Sequence, residues 1–313
     1  MPVHPQVAQY LNEVAKADLP SFDEMTPELI RSTLSPSPEP HLPARKIEDL
    51  KLPANKTEIP VRIYTPEVVP ENSAAACPAL VYFHGGGWVM GTLDAYDGLC
   101  QDLAGTAGCK VISVDYRMAP EHPYPVPFED AYLATEWISS HAGDLEIDPT
   151  RIAVGGDSAG GNLATAVAMK ARQSNRLNLI YQMLVYPVTN YQFDTESYQK
   201  YGIDYFLTKR AMEWFWEQYL SHESAGREVY ASPLRCKDLS GLPDAVVITA
   251  GYDPLYSEAV QYVELMQRSG ISVEHINFED MIHGFFRRSD LYDRAFEAVQ
   301  LAGQNLRKAF TQI

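Results

Sequence analysis

Residues 151–164 read RIAVGGDSAGGNLA, and the residue in this run with chemistry to offer is Ser158. An apolar β-branched stretch stops at Val154, glycines surround the serine, and a helical run of small residues starts at once. Gly156-Asp157-Ser158-Ala159-Gly160 is therefore G-x-S-x-G placed between a strand and a helix. On so sharp a turn the serine sits in strained backbone, and side chains two residues to either side would clash; glycine removes the clash. The helix behind Ser158 points its positive end at an oxygen acquiring charge. The pattern implies a serine nucleophile for acyl transfer. A phosphate loop is the competing reading of such a turn, but the lysine it requires is missing.

Acyl transfer also needs two or three N–H donors about 2.7–3.1 Å from the oxyanion. Residues 79–92, ALVYFHGGGWVMGT, offer them, because three glycines directly after a strand leave backbone N–H groups free. Gly86 and Gly87, with the N–H of Ala159, are the expected donors. His84 precedes the nucleophile, whereas the partners of a serine on this kind of elbow follow it as acid, then histidine. His84 is thus read as a structural residue shaping the loop.

Six of the eight histidines lie before Ser158 or in the 188–235 segment: His4, His41, His84, His122, His141 and His222. His275 alternates with apolar neighbours inside a strand, which suits a sheet surface. His283 lies just past that strand in DMIHGF, at the strand end where parallel sheets carry their sites. It is the expected base. Asp253, in VVITAGYDPL, is the expected acid, placed between serine and histidine at the end of another strand. Asp204 and Asp238 lie in or near the 188–235 segment, Asp244 precedes the strand, and Asp280 is too close to His283. Glu258 reads as a first-turn charge favouring a helix N-terminus.

These residues need a sheet to hold them. From about residue 45, short β-branched runs (79–83, 110–116, 151–154, 179–186, 245–250, 273–278) alternate with helical patterns near 95–107, 127–141, 159–173, 256–268 and 291–310. Strands apolar on both faces belong in a mainly parallel sheet covered by helices on each side, an α/β fold. Two regions break the rhythm. Residues 1–45 hold helical pieces and then SPSPEPHLP at 35–43, a linker or wrap. Residues 188–235 contain LTKRAMEWFWEQYL, where Thr208 can cap a helix and Met212, Phe215, Trp216 and Tyr219 recur at helical spacing. That stripe fits a core-facing helix, and it fits better a cap over the active site. The division expected is 1–45 and 188–235 as a helical cap, with 46–187 and 236–313 as the core.

The 313 residues carry a net charge of -16. A polyanion repels phosphate backbones and anionic lipid, so neither nucleic acid nor a membrane surface is an expected partner. The first 20 residues carry Glu13, Lys16 and Asp18 and no long apolar run, unlike a secretory signal. Nor is any segment apolar enough to span a bilayer. Cys77, Cys100, Cys109 and Cys236 lack metal-site spacing and read as thiols of a reducing cytoplasm.

Together HGGGW, GDSAGG, DPL and HGF, with DYRMAPEHP at 115–123, resemble the hormone-sensitive-lipase-like esterases, bacterial family IV, of the α/β-hydrolase fold. The resemblance runs from about residue 45 to the end, and Asp157 matches the GDSAG subgroup. It implies a carboxylesterase for short- to medium-chain acyl esters, with no cofactor or metal and a possible homodimer through the last sheet edge. It carries over Ser158, Asp253 and His283 as triad and Gly86, Gly87 and Ala159 as oxyanion hole. Trp88, Leu207, Met212, Phe215 and Trp216 are implied as lining of the acyl pocket. Two alternatives stay open at this point. Amidases and deacetylases use the same triad, and the related plant gibberellin receptors keep the pocket without the histidine, which this chain has.

Overall fold

The computed structural model describes residues 2–16, 20–54, 57–68, 76–174 and 176–312. Asp18, part of the opening segment discussed above, lies outside them. Eight strands form one sheet in the order β1-β2-β4-β3-β5-β6-β7-β8. They are β1 (Lys46–Ala54), β2 (Thr57–Thr65), β3 (Cys77–Phe83), β4 (Lys110–Val114), β5 (Ile147–Asp157), β6 (Tyr181–Val185), β7 (Asp244–Tyr252) and β8 (Val273–Ile282). The pairs β1–β2 and β2–β4 are antiparallel, and β4 through β8 run parallel. This is the α/β-hydrolase architecture.

The helices are α1 (Pro5–Val14), α2 (Pro27–Ser32), α3 (Asp97–Ala107), α4 (Val126–Ser140), α5 (Ala159–Ser174), α6 (Glu196–Tyr201), α7 (Lys209–Tyr219), α8 (Tyr256–Arg268) and α9 (Asp293–Thr311). Side chains alternate across a strand, so each central strand feeds two cores. Leu80, Tyr82, Val111, Met183 and Val246 join α3 and α9 on one face. Val81, Phe83, Ile112, Leu184 and Val247 join α4, α5, α7 and α8 on the other. Every residue of β3, β4 and β6 is buried, which is why their sequences are mostly apolar, with Lys110, Ser113 and Gln182 the buried polar exceptions.

Two strands were absent from the sequence reading. β1 lies at the sheet edge with most of its residues exposed, so KIEDLKLPA carries no apolar run. β2 does alternate, burying Ile59, Val61 and Ile63, but charged and proline residues between them break it up. The proline-rich run is a wrap: the N–H groups of Leu42 and Ala44 donate to Asp102 and Gln101 of α3, and Gly98 N–H donates to Ser37 Oγ. Among the described residues no helix is long and apolar enough to cross a membrane.

After β4 the chain is locked by Asp130 of α4, whose carboxylate has no exposed surface. It accepts Arg117 N–H at 3.0 Å, Nε at 2.8 Å and Nη2 at 2.7 Å. The Asp130→Ala variant is expected to lose about 2–3 kcal/mol, since Arg117 can turn part of its charge to water but its backbone N–H cannot. Urea unfolding measures this; a loss within experimental scatter would show that the pair contributes nothing.

Candidate active site

Ser158 stands between the end of β5 and the start of α5 with φ of 55°, a region a non-glycine residue rarely enters. Its N–H donates to the Val185 carbonyl at 2.8 Å. The flanking glycines make the turn possible. A Cβ on Gly160 would strike the Phe83 carbonyl oxygen, and one on Gly156 would lie 2.5 Å from the Gly160 carbonyl carbon.

His283 follows β8 and Asp253 follows β7, and the topology brings both to Ser158. His283 Nε2 is 2.9 Å from Ser158 Oγ, and Nδ1 is 2.7 Å from Asp253 Oδ2. A carboxylate has no proton to give, so Nδ1–H donates to Asp253 and Nε2 is left to accept from Ser158. Asp253 Oδ1 takes the Leu255 N–H at 2.8 Å, which fixes the acid. All three residues are buried, Asp253 completely.

The glycine loop after β3 runs alongside. Gly86 and Gly87 have φ of 107° and 60°, and the N–H groups of Gly86, Gly87 and Ala159 have no acceptor among the described residues. What holds the loop is Asp157, which the sequence reading used only as a subgroup marker. Its buried carboxylate accepts Gly85 N–H at 3.0 Å and the hydroxyls of Tyr82 at 2.6 Å and Tyr96 at 3.1 Å. His84 is buried against Tyr116, rings 4.4 Å apart, with Nδ1 2.8 Å from the Gly85 carbonyl. Burial lowers its pKa, keeping it neutral as a shaping residue requires. Arg31 of α2 reaches the same loop, its Nε donating to the Val89 carbonyl at 2.8 Å and its guanidinium pairing with Glu121. No sequence signal linked Arg31 to a loop 58 residues away.

The residues implied as pocket lining separate into two groups. Phe215 stands against the glycine loop, where a Cβ on Gly87 would run into its ring. Leu207 and Met212 are buried with it in the same core. Trp88 and Trp216 have no exposed surface; Trp88 stacks on Tyr219 at 4.0 Å and lies 4.7 Å from Trp216. Trp214 Nε1 donates to the Met25 carbonyl, tying α7 to the N-terminal arm.

Glu258 takes a role beyond its expected place. It does lie in the first turn of α8, but it is fully buried, and its Oε1 accepts the N–H groups of Thr189 at 2.6 Å and Asn190 at 3.1 Å. Among the described residues Oε2 has no partner. It is a strut between the chain leaving β6 and the helix after Asp253. Nor do three or more His, Cys, Asp or Glu side chains gather as a metal site would, among the described residues.

A serine, an imidazole and a carboxylate in one hydrogen-bonded line, beside N–H groups without acceptors, is the arrangement of a serine hydrolase. Residues 80–287 match the family described as alpha/beta hydrolase fold. The chain is 40% identical over 256 residues to the carboxylic ester hydrolase LipN of Mycobacterium tuberculosis, covering 80% of this chain and 66%, just under two thirds, of LipN. It is 37% identical to the esterase LipI of the same organism, covering 87% of this chain and 85% of LipI. Among solved structures, a thermostable esterase of Pseudomonas putida superposes with a TM-score of 0.93 at 31% identity, covering 99% of this chain and 98% of that one. The chain belongs to the α/β-hydrolase family, in its hormone-sensitive-lipase-like branch.

The burial of Glu258 has a measurable consequence. Loss of solvent raises its carboxyl, with Asp253 pushing the same way and the two N–H donors opposing, from 4.5 to about 8. Between those pH values the folded state holds a proton that the unfolded state has released, so stability falls as pH rises. The slope due to this group is on the order of 1 kcal/mol per pH unit. Glu258→Gln should remove that part, which urea unfolding at pH 5, 6.5 and 8 would reveal against the wild type. Parallel slopes for the two proteins would contradict it.

Proposed function

We propose that the chain is a carboxylesterase acting on short- to medium-chain acyl esters through Ser158, His283 and Asp253. The observation that carries this is the unbroken line from Asp253 through His283 to Ser158, at 2.7 and 2.9 Å. Ser158 Oγ attacks the ester carbonyl while His283 Nε2 takes its proton, and the carbonyl oxygen becomes an oxyanion held by Gly86, Gly87 and Ala159. Collapse breaks the bond to the alcohol, which leaves with the proton from Nε2. Water, deprotonated by the same nitrogen, then frees the acid and restores Ser158. Asp253 holds the imidazole in the required tautomer throughout. The chemistry requires a neutral imidazole, so the rate declines in acid.

The N-terminal arm and the 188–235 segment are assigned as the cover of the site, with Phe215 limiting the acyl chain where it meets the glycine loop. Mycobacterial relatives named esterases and carboxylic ester hydrolases support the reaction class. The four cysteines are unpaired and three are buried, in keeping with a reducing cytoplasm. The open edge of β8 is assigned to a homodimer; light scattering giving a monomer at micromolar concentration would remove that assignment.

Hydrolysis of p-nitrophenyl acetate, butyrate, octanoate and laurate tests the reaction. The short esters should turn over quickly and laurate poorly, and Ser158→Ala should lower kcat by about 10⁴-fold or more without loss of fold. A folded wild type that cleaves none of the four esters would sink the proposal.

A further inference from the structure

His283 is held at both nitrogens by hydrogen bonds that act in the plane of its ring, which leaves the ring's faces to be fixed by packing. A third contact comes from Tyr186, whose ring centroid lies 4.4 Å from the imidazole, tilted by 50°. Tyr186 is placed there at a cost. Its φ is 34°, in the left-handed region that an aromatic side chain avoids, and the following Pro187 restricts its backbone further. Strained residues persist where the surroundings over-determine them, and they cluster at sites of function. The clamp here is a 2.6 Å hydrogen bond from Tyr186 N–H to the Ile248 carbonyl of β7, with Phe285 edge-on to the ring at 6.0 Å.

The hydroxyl does not explain this placement. It is buried and has no partner among the described residues, so the ring is what the site uses. We infer that Tyr186 is a positioning residue whose ring fixes the His283 imidazole and stabilises the imidazolium formed in each half of the acyl-transfer cycle. A cation within about 6 Å of an aromatic centroid is attracted by the ring quadrupole, more so when desolvated, and both rings here are buried. The inference rests on the serine-hydrolase reading of the site.

The charged and titratable groups around the two rings are Asp253 and Ser158 on the imidazole and Asp157, Tyr96, Arg287 and Asp253 around Tyr186. Burial, then the charge of Asp157, holds the Tyr186 phenol well above its ordinary value, so it stays neutral through the working range. A change in the acid limb of the rate profile on altering this ring therefore reports on the imidazole.

The experiment uses the full chain with p-nitrophenyl butyrate, measuring kcat, KM and the pH dependence of kcat/KM for the wild type, Ser158→Ala, Tyr186→Phe, Tyr186→Leu and Tyr186→Met. Phenylalanine keeps the ring and drops only the unpartnered hydroxyl, so its activity should stay within about twofold of wild type with the acid limb unmoved. Leucine should lower kcat about tenfold with KM nearly constant, and move the acid limb about one unit towards lower pH, because the cation has lost its stabilising ring. Methionine, closer to tyrosine in reach, should show the same shift if leucine lowers the melting temperature. An unmoved acid limb in both aliphatic variants, or a phenylalanine variant as impaired as they are, overturns the inference while leaving the esterase intact. An inactive wild type, or a Ser158→Ala variant as active as wild type, overturns the underlying reading instead.

Discussion

The backbone of Ser158 is left-handed, and the turn that holds it closes so tightly on the end of β3 that a Cβ at Gly160 would meet the Phe83 carbonyl. Much of the site follows from this constraint. The β3 and β5 strands are parallel neighbours with Phe83 paired to Gly156, so the glycine loop leaving one strand and the elbow leaving the other emerge side by side. Neither can move without the other. β6 intervenes before β7 and β8, and that width is what the loops carrying Asp253 and His283 must cross to reach Ser158. Position in the sheet does the coarse alignment, and hydrogen bonds do the fine.

Those fine adjustments fall largely to buried carboxylates, each satisfied in a different way. Asp157 gathers one backbone N–H and two phenols, and so joins the elbow to the glycine loop. Asp253 divides its oxygens between Leu255 N–H and His283, so one atom anchors the acid and the other orients the base. Glu258 spends one oxygen on two N–H groups and leaves the other bare among the described residues. In a low-dielectric interior a satisfied carboxylate is a rigid fixture, and a half-satisfied one favours its neutral form. The same side-chain chemistry thus yields two permanent anchors and one proton-holding strut within a single neighbourhood.

The catalytic candidates were legible in the sequence because each sits at a junction with a local signature. Ser158 had its glycines, and His283 and Asp253 each stood just past an apolar strand. The central strands are legible because burial on both faces leaves a run that is mostly apolar and β-branched. What escaped notice depended on partners far along the chain. Glu258 is legible as a first-turn charge, but its burial against Thr189 and Asn190 leaves no local mark. β1 was missed for the opposite reason, an exposed edge strand having no apolar periodicity to read.

The division between chemistry and selectivity follows from the same distinction. Ser158, Asp253 and His283 are presented by the ends of buried strands, whose register leaves them almost no freedom. Selectivity is the part proposed for α7 and the arm that meets it, where Phe215 stands against the glycine loop and Trp88, Trp216 and Tyr219 pack on one another. A stack of fully buried rings gives way little, so this part of α7 is stiff. Trp214 to Met25 and Arg210 to Asp23 join the 188–235 segment and the N-terminal arm to each other, while Arg31 to Val89, Tyr124 to Glu228, and Thr189 and Asn190 to Glu258 join them to the sheet and its helices. A fold built in this way can change its substrate while keeping its reaction.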